Sequence, residues 1–378
     1  MKPSLLSTAV AAASLSLISS VAWAGGLDRS GQDTSIITDD GNVVEFASVS
    51  VAPSVAGTYT AGGVGATGDV TPDYSMTMIG LKMDVSDTIS VALIRDNPYG
   101  ADVSWEASAL NGTKGSFSST ATTLIGSYGL DDGIRVYAGV KDQSLQMSSA
   151  NNLLAYTITG AKSSATGFLA GVAFEKPEVA MKIALTYHAK VKHSMNVVED
   201  SAHPALGALV TKASSTMGVY TPSAINLDLQ TGIAEDTLLF GSIRKANWTE
   251  TDVHPDGYHA LTYAASSNTA AKSLLNYKND STAYNIGLGR RFSEAWSGAV
   301  TYGYEGSNSG TGGPFSPTNG SNKYGVGVTY SVDNISATLA VQHVEMGDQT
   351  VSVQSGAITA DMASNSTLVT ALKVSAKF

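Results

Sequence analysis

The chain contains no cysteine, which removes disulfides, thiol catalysis and thiolate metal sites together. Charged residues make up only 14% of it, with a net charge of −10. An acidic chain with so few cations is a poor match for a nucleic-acid backbone, and no such partner is expected. Long apolar runs are missing too: past Ala24, nothing reaches the roughly 18 consecutive apolar residues of a membrane helix. There is no G-x-S-x-G, no phosphate-cradling glycine loop and no H-E-x-x-H. Catalysis therefore has no visible carrier, and neither enzyme activity, a cofactor nor a metal is expected. His254 and His259 read as surface-loop residues, and Asp39-Asp40-Gly41-Asn42 as a turn lacking the ligand spacing of a calcium loop.

What the chain does have is alternation. Val179, Met181, Ile183, Leu185, Tyr187, Ala189 and Val191 are interleaved with Lys182, Ala184, Thr186, His188 and Lys190. A strand sends successive side chains to opposite faces, so this segment has one apolar face and one polar, cationic face. It is also long enough to cross a bilayer at a tilt, which takes about 9–11 residues. Similar dyads appear at Ile134–Lys141, Phe168–Glu175, Lys323–Val332 and Leu368–Phe378.

The N-terminus supplies the compartment. Met1-Lys2 is a short basic start, Leu5 to Val21 is apolar and small, and Ala22-Trp23-Ala24 is a small-x-small cleavage pattern. Residues 1–24 thus read as a secretory signal peptide, whose removal would take Lys2 with it. An exported chain without a membrane helix can span a bilayer only as a closed barrel, because lipid offers unpaired backbone groups no partner.

Connections alternate in length as such a barrel requires. Short turns fall at Ser86-Asp87, Leu130–Gly133, Lys176–Glu178, Ala234–Asp236, Ser293–Ala295 and Asp333-Asn334. Longer polar stretches lie between them, at about 56–71, 98–115, 144–165, 193–221, 250–281, 306–321 and 347–365. The expectation is an all-β transmembrane antiparallel barrel of about 14 strands over residues 43–378, preceded by a short plug at 25–42. Such barrels belong to the outer membrane of Gram-negative bacteria, in contact with its lipid and lipopolysaccharide. The terminal aromatic, Phe378, resembles the signal read by the barrel assembly machinery.

Candidate functional residues fall into three sets. Arg135, Lys141, Lys182, His188 and Lys190 are expected to face the lumen, as solvated interior cations or as partners for an anionic head group. Leu145, Met147, Leu153, Leu154, Leu206 and Leu209 fall in the stretches read as external loops, where grouped apolar side chains mark either a capture surface or loop packing. At Asn97-Pro98-Tyr99-Gly100, Pro98 has no N–H for the ladder and Gly100 admits unusual torsions, so strand pairing should fail there or the strand should end.

Together these features resemble the FadL-type outer-membrane transporters of long-chain fatty acids and other hydrophobic compounds. Ile94-Arg95-Asp96-Asn97-Pro98-Tyr99-Gly100-Ala101 looks like the family's kinked third strand, and Thr221-Pro222 with Trp248 is similar to its hairpin after the fourth external loop. The resemblance implies a monomer that passively takes up a hydrophobic small molecule, with sideways exit through the wall beside Asn97–Gly100. The family's Asn-Pro-Ala plug motif is absent, so residues 25–42 correspond to a reduced plug at most. A general diffusion porin and a structural or adhesive barrel are the alternatives.

Overall fold

Alternating side chains become the two faces of a closed wall. The computed structural model describes residues 26–266 and 272–378; the expected signal peptide lies outside them. Fourteen antiparallel strands form the wall: β1 (Val43–Ser54), β2 (Tyr74–Asp84), β3 (Ile89–Asp96, resuming at Gly100–Ser104), β4 (Lys114–Gly129), β5 (Ile134–Asn151), β6 (Tyr156–Lys176), β7 (Met181–His188, resuming at Val191–Ser201), β8 (Ala213–Thr221, resuming at Ala224–Ala234), β9 (Thr237–Ala246), β10 (Ser281–Arg291), β11 (Trp296–Glu305), β12 (Ser321–Val332), β13 (Ile335–Met346) and β14 (Asn365–Lys377). The sheet closes on itself because β1 pairs with β2 on one side and, from Val43↔Lys377 to Ser54↔Ser366, with β14 on the other.

All the short turns lie at the end of the wall where β1 begins and β14 finishes. By the construction rule of outer-membrane barrels this is the periplasmic end, and the longer connections are external. Two of the expected long loops are mostly strand. Between β5 and β6 only Asn152–Ala155 is free, and between β7 and β8 only residues 202–212. These strands rise above the membrane, and nothing in strand periodicity marks the height at which lipid ends. Above the wall stand a three-stranded sheet, Gly57–Ala61, Gln349–Val353 and Ile358–Met362, and a helix, α1 (Asp256–Ala265).

The outward face carries the lipid band. Val326 and Val328 on β12, Val300 on β11 and Leu339 and Val341 on β13 are exposed. Rings flank them, with Tyr302 against Tyr324 at 5.6 Å above and Trp296 against Tyr330 at 4.8 Å below. Within β12 the two tyrosines are separated by about 20 Å of strand. On β3, β4 and β5 the band stops earlier, where Arg95, Thr122 and Asp142 take outward positions.

The lumen is filled rather than open. Ala47, Val49, Val51, Met76, Leu238, Phe240, Ala299, Val344 and Val369 join walls on different sides of the barrel in one apolar cluster. Residues 26–42 occupy much of the rest. Their single 3-10 turn, Ser35–Thr38, places Ile36 and Ile37 among Ala92, Ile94, Ile125, Tyr137 and Leu169. Apolar side chains on both faces of β2 and β9 are explained by this filling.

At the lower end of that segment, burial pushes the Asp39 carboxyl up to about 6, while Lys182, 3.9 Å away, pulls it down. Because the seated form holds the proton more tightly than the free segment, seating is favoured below pH 4 and loses that contribution as pH rises to about 6. Hydrogen exchange of the Ser35–Thr38 turn, corrected for intrinsic rate, is expected to be slower at pH 4 than at pH 7. In Asp39→Asn most of that difference should vanish.

Candidate ligand passage

The ladder between β2 and β3 is incomplete. It runs only from Asp84↔Ser90 to Ile79↔Arg95. Above that level Tyr74–Met78 pair with β1 alone, while Gly100–Ser104 of β3 pair with β4. Between them β3 is bent over Asn97-Pro98-Tyr99, where Pro98 has no N–H to donate. Side chains replace part of the lost ladder: Asn97 Oδ1 accepts from Thr77 N at 3.3 Å, and Asn97 Nδ2 donates to Ser119 O at 3.1 Å. A bond from Ser104 N to Val70 O, 2.8 Å, closes the top. The result is a break in the wall at the outer edge of the lipid band.

The N-terminal segment covers this break from inside. Gly100 N donates to Leu27 O at 2.7 Å and Arg29 N to Pro98 O at 2.9 Å, so Leu27–Arg29 form a short strand on the bent part of β3. Arg29 then reaches into the break. Its guanidinium lies 3.9 Å from the Tyr74 ring centre on β2 and 3.0 Å from Asp102 Oδ2 on β3. Gly100 leaves the room for it: a Cβ there would lie 2.6 Å from Arg29 Cζ and Nε.

Polar contacts inside the barrel fix the segment. Arg244 of β9 holds Asp28 through Nε–Oδ2 at 2.5 Å and Nη2–Oδ1 at 3.1 Å, and its Nη1 donates to Asn226 Oδ1 at 2.7 Å. Asn226 Nδ2 donates to Gly31 O at 2.9 Å. Gln32 Nε2 donates to the Tyr99 hydroxyl at 2.6 Å, Lys141 Nζ to Gln32 Oε1 at 3.3 Å, and Ser30 Oγ to Asp96. With both Asp28 and Arg244 buried, their charges are worth their desolvation only as a bidentate pair.

Above the segment the interior is apolar and aromatic. Trp248 sits between Tyr99, 5.6 Å centre to centre, and Tyr277, 5.1 Å. Gly26, at positive φ, lies so close that a Cβ would meet the indole at 2.7 Å. A cavity of about 400 Å3 runs beside Trp248 and Tyr277 and is also lined by Tyr74 and Gly100 and by many polar groups, among them Arg29, Asp102, Lys278, Asn279 and Glu305. A smaller, almost purely apolar one is lined by Leu27, Phe117, Met147, Leu274 and Phe315. Met147 is buried in one cluster with Met195 and Met217, side chains that repack easily.

The expected sites are partly relocated. Asn97, Pro98, Tyr99 and Gly100 are at the bend as anticipated. Leu145 and Met147 are not in an external loop: they lie within β5, pointing inward, and are buried with Leu154 in the upper lumen. Leu153 packs partly buried beneath the external sheet, Leu206 packs against the upper-lumen cluster, and Leu209 is the exposed member at 55%. The six form no outward capture patch: Leu145 and Met147 belong to a strand, and of the four that do lie in connections only Leu209 is exposed.

Nor do the five cations converge. Lys141 meets the N-terminal segment. Arg135 bonds Ser90 and Ser127 at 3.2 Å and lies 3.5 Å from Glu175, and Lys182 donates to Thr38 O at 2.5 Å. Lys190 is half exposed, 3.4 Å from Glu250, and His188 is buried with neither ring nitrogen bonded. His254 and His259 are brought together, ring centres 4.4 Å apart, because α1 begins between them. Among the described residues no group of three or more potential metal ligands accompanies them. Arg29, Tyr74, Asp102 and Arg244 were not singled out by sequence; the one available signal was Arg29 as the single cation of a short segment that also carries Asp28, Asp33, Asp39 and Asp40.

No protein-family model and no curated protein sequence matches the chain. Solved structures do match its shape. A FadL homologue from Pseudomonas aeruginosa superposes with a TM-score of 0.73 at 13% identity, covering 90% of this chain and 91% of that one. The toluene transporter TodX of Pseudomonas putida gives 0.63 at 12% identity, over 96% and 97%. The toluene transporter TbuX of Ralstonia pickettii gives 0.62 at 11%, again over 96% and 97%. The chain therefore has the FadL-type fold, a fourteen-stranded barrel with an N-terminal segment inside.

Arg244→Ala leaves the Asp28 carboxylate buried without its cation and is expected to weaken seating of the N-terminal segment by about 3–5 kcal/mol. Limited proteolysis should then cut near Gly31 while the barrel stays intact. Gly100→Ala, which meets only the flexible end of Arg29, is expected to dislodge that side chain without unfolding the wall. Increased entry of hydrophobic dyes into cells carrying the variant would report it.

Proposed function

We propose that this barrel conducts hydrophobic compounds passively across the outer membrane, taking them into the aromatic upper lumen and releasing them sideways through the break between β2 and β3. The observation that carries the reading is that break, next to a cavity lined in part by Tyr74, Trp248, Tyr277 and Phe315 and closed by the N-terminal segment rather than by wall. Three solved structures of the same fold bear the names of a FadL homologue and two toluene transporters, which supports a hydrophobic cargo. Fatty acids are our choice of cargo. Their tails would gain about 0.8 kcal/mol for each methylene buried. The protein works without chemistry in this scheme, as a monomer, inserted through recognition of Phe378 and surrounded by lipid and lipopolysaccharide.

A filled lumen weighs against a general diffusion porin, since the apolar cluster shared by β1, β2, β9, β11 and β13 leaves polar solutes no wide channel. An adhesive barrel would have no use for a break backed by a pocket.

Because the native chain is free of cysteine, a single engineered disulfide can staple the break. Thr77 and Asn97 occupy the next non-adjacent register positions above Ile79↔Arg95, and their contact at 3.3 Å places them at its edge. Oxidised Thr77→Cys/Asn97→Cys protein is expected to lose most uptake of labelled fatty acid, with recovery on reduction. Undiminished uptake in the oxidised state would refute sideways release.

A further inference from the structure

The break in the wall contains a cation, which a passage serving hydrocarbon alone does not need. Arg29 is 9% exposed and stands at the junction of the cavity and the break. One of its donors, Nη2, is given to Asp102 Oδ2. Its Nε is buried without a hydrogen-bond partner, so the guanidinium fork is half used. Holding an unpaired donor there is costly unless something else visits it.

Its partner is built to let go. Asp102 is one-third exposed, and its other oxygen, Oδ1, accepts from Ser116 Oγ at 2.7 Å. On losing Arg29 it would keep that bond and could take up water. Arg29, for its part, would stay aligned by the face of Tyr74 at 3.9 Å, an attraction that does not depend on Asp102. The site can thus exchange one carboxylate for another at small cost, and an incoming carboxylate could take both Nε and Nη2 in the bidentate geometry that guanidinium favours.

Height matters as well. The break begins at Arg95 and Thr122, whose outward side chains bond at 3.3 Å, while just below them Leu93 and Leu124 face lipid. A carboxylate held by Arg29 would sit at the membrane interface, with its tail free to drop into the hydrocarbon. Moving a bare carboxylate through the same place would carry a heavy desolvation cost.

We infer that Arg29 is the specificity-determining residue of the wall opening, reading the carboxylate of an amphipathic monocarboxylic acid by exchange with Asp102, so that acids pass in preference to neutral molecules of equal tail length. This rests on the transport reading above. The test compares labelled dodecanoate with 1-dodecanol in cells carrying the full-length protein, and matched heat-modifiability on gels confirms folded barrel for each variant. Wild type should favour the acid. Arg29→Gln should lower the acid-to-alcohol ratio about tenfold, the size of a lost charge-assisted bond. Arg29→Lys should restore much of the ratio, and Asp102→Asn, which removes the competing carboxylate, should raise it. A ratio unchanged in Arg29→Gln, an equal fall for both compounds, or a Lys variant that behaves as Gln would overturn the assignment while leaving transport itself standing. Wild type that carries neither compound would remove the transport reading, and this one with it.

Discussion

Backbone pairing governs this molecule. In contact with lipid, an amide or carbonyl without a partner costs several kcal/mol, so a barrel wall must hydrogen-bond to itself all the way round. At Asn97-Pro98-Tyr99 it does not, because the chain bends away from β2 and Pro98 brings no N–H. Partners come from inside: Leu27 and Arg29 take the exposed backbone of Pro98 and Gly100, and the side chain of Asn97 serves Thr77 and Ser119. The N-terminal segment is thereby part of the wall as well as a filling of the lumen. That double duty connects the rest, since whatever holds the segment also holds the opening shut.

The segment is held mainly by charge in a place where charge is expensive. Asp28 and Arg244 are both buried, and Asn226, Gln32 and Lys141 extend their pairing into a network around the segment. Above this polar floor the chemistry changes within a few residues to Trp248, Tyr99, Tyr277 and a group of methionines. A cargo in the upper lumen would meet rings and thioethers overhead and a cross-linked polar surface below. Sideways movement is then the direction of least polar contact.

Much of the architecture was legible because strand periodicity and turn chemistry are local. Lys323–Val332 and Ile134–Lys141 state their inner and outer faces residue by residue, and Pro98 with Gly100 announces a bend. Height along the barrel axis is not written locally, which is why Leu145 and Met147 read as loop when they belong to a strand standing clear of the lipid. Angular position around the barrel is hidden too. Arg135, Lys141, Lys182 and His188 share an inward parity but attach to different neighbours at different levels, so parity alone could not gather them into a site. Arg29 and Tyr74 meet only because a segment preceding β1 turns back against the break.

The Asp28–Arg244 contact spans 216 positions of sequence, and this has a bearing on biogenesis. The earliest described residues to be synthesised find their counter-charge only when β9 has taken its place, late in the chain. Until then the segment can have its contacts to β3 and β5 but not its buried counter-charge. Its full docking therefore requires the wall to be in place through β9, and a barrel arrested before that stage would betray itself by an accessible N-terminal segment.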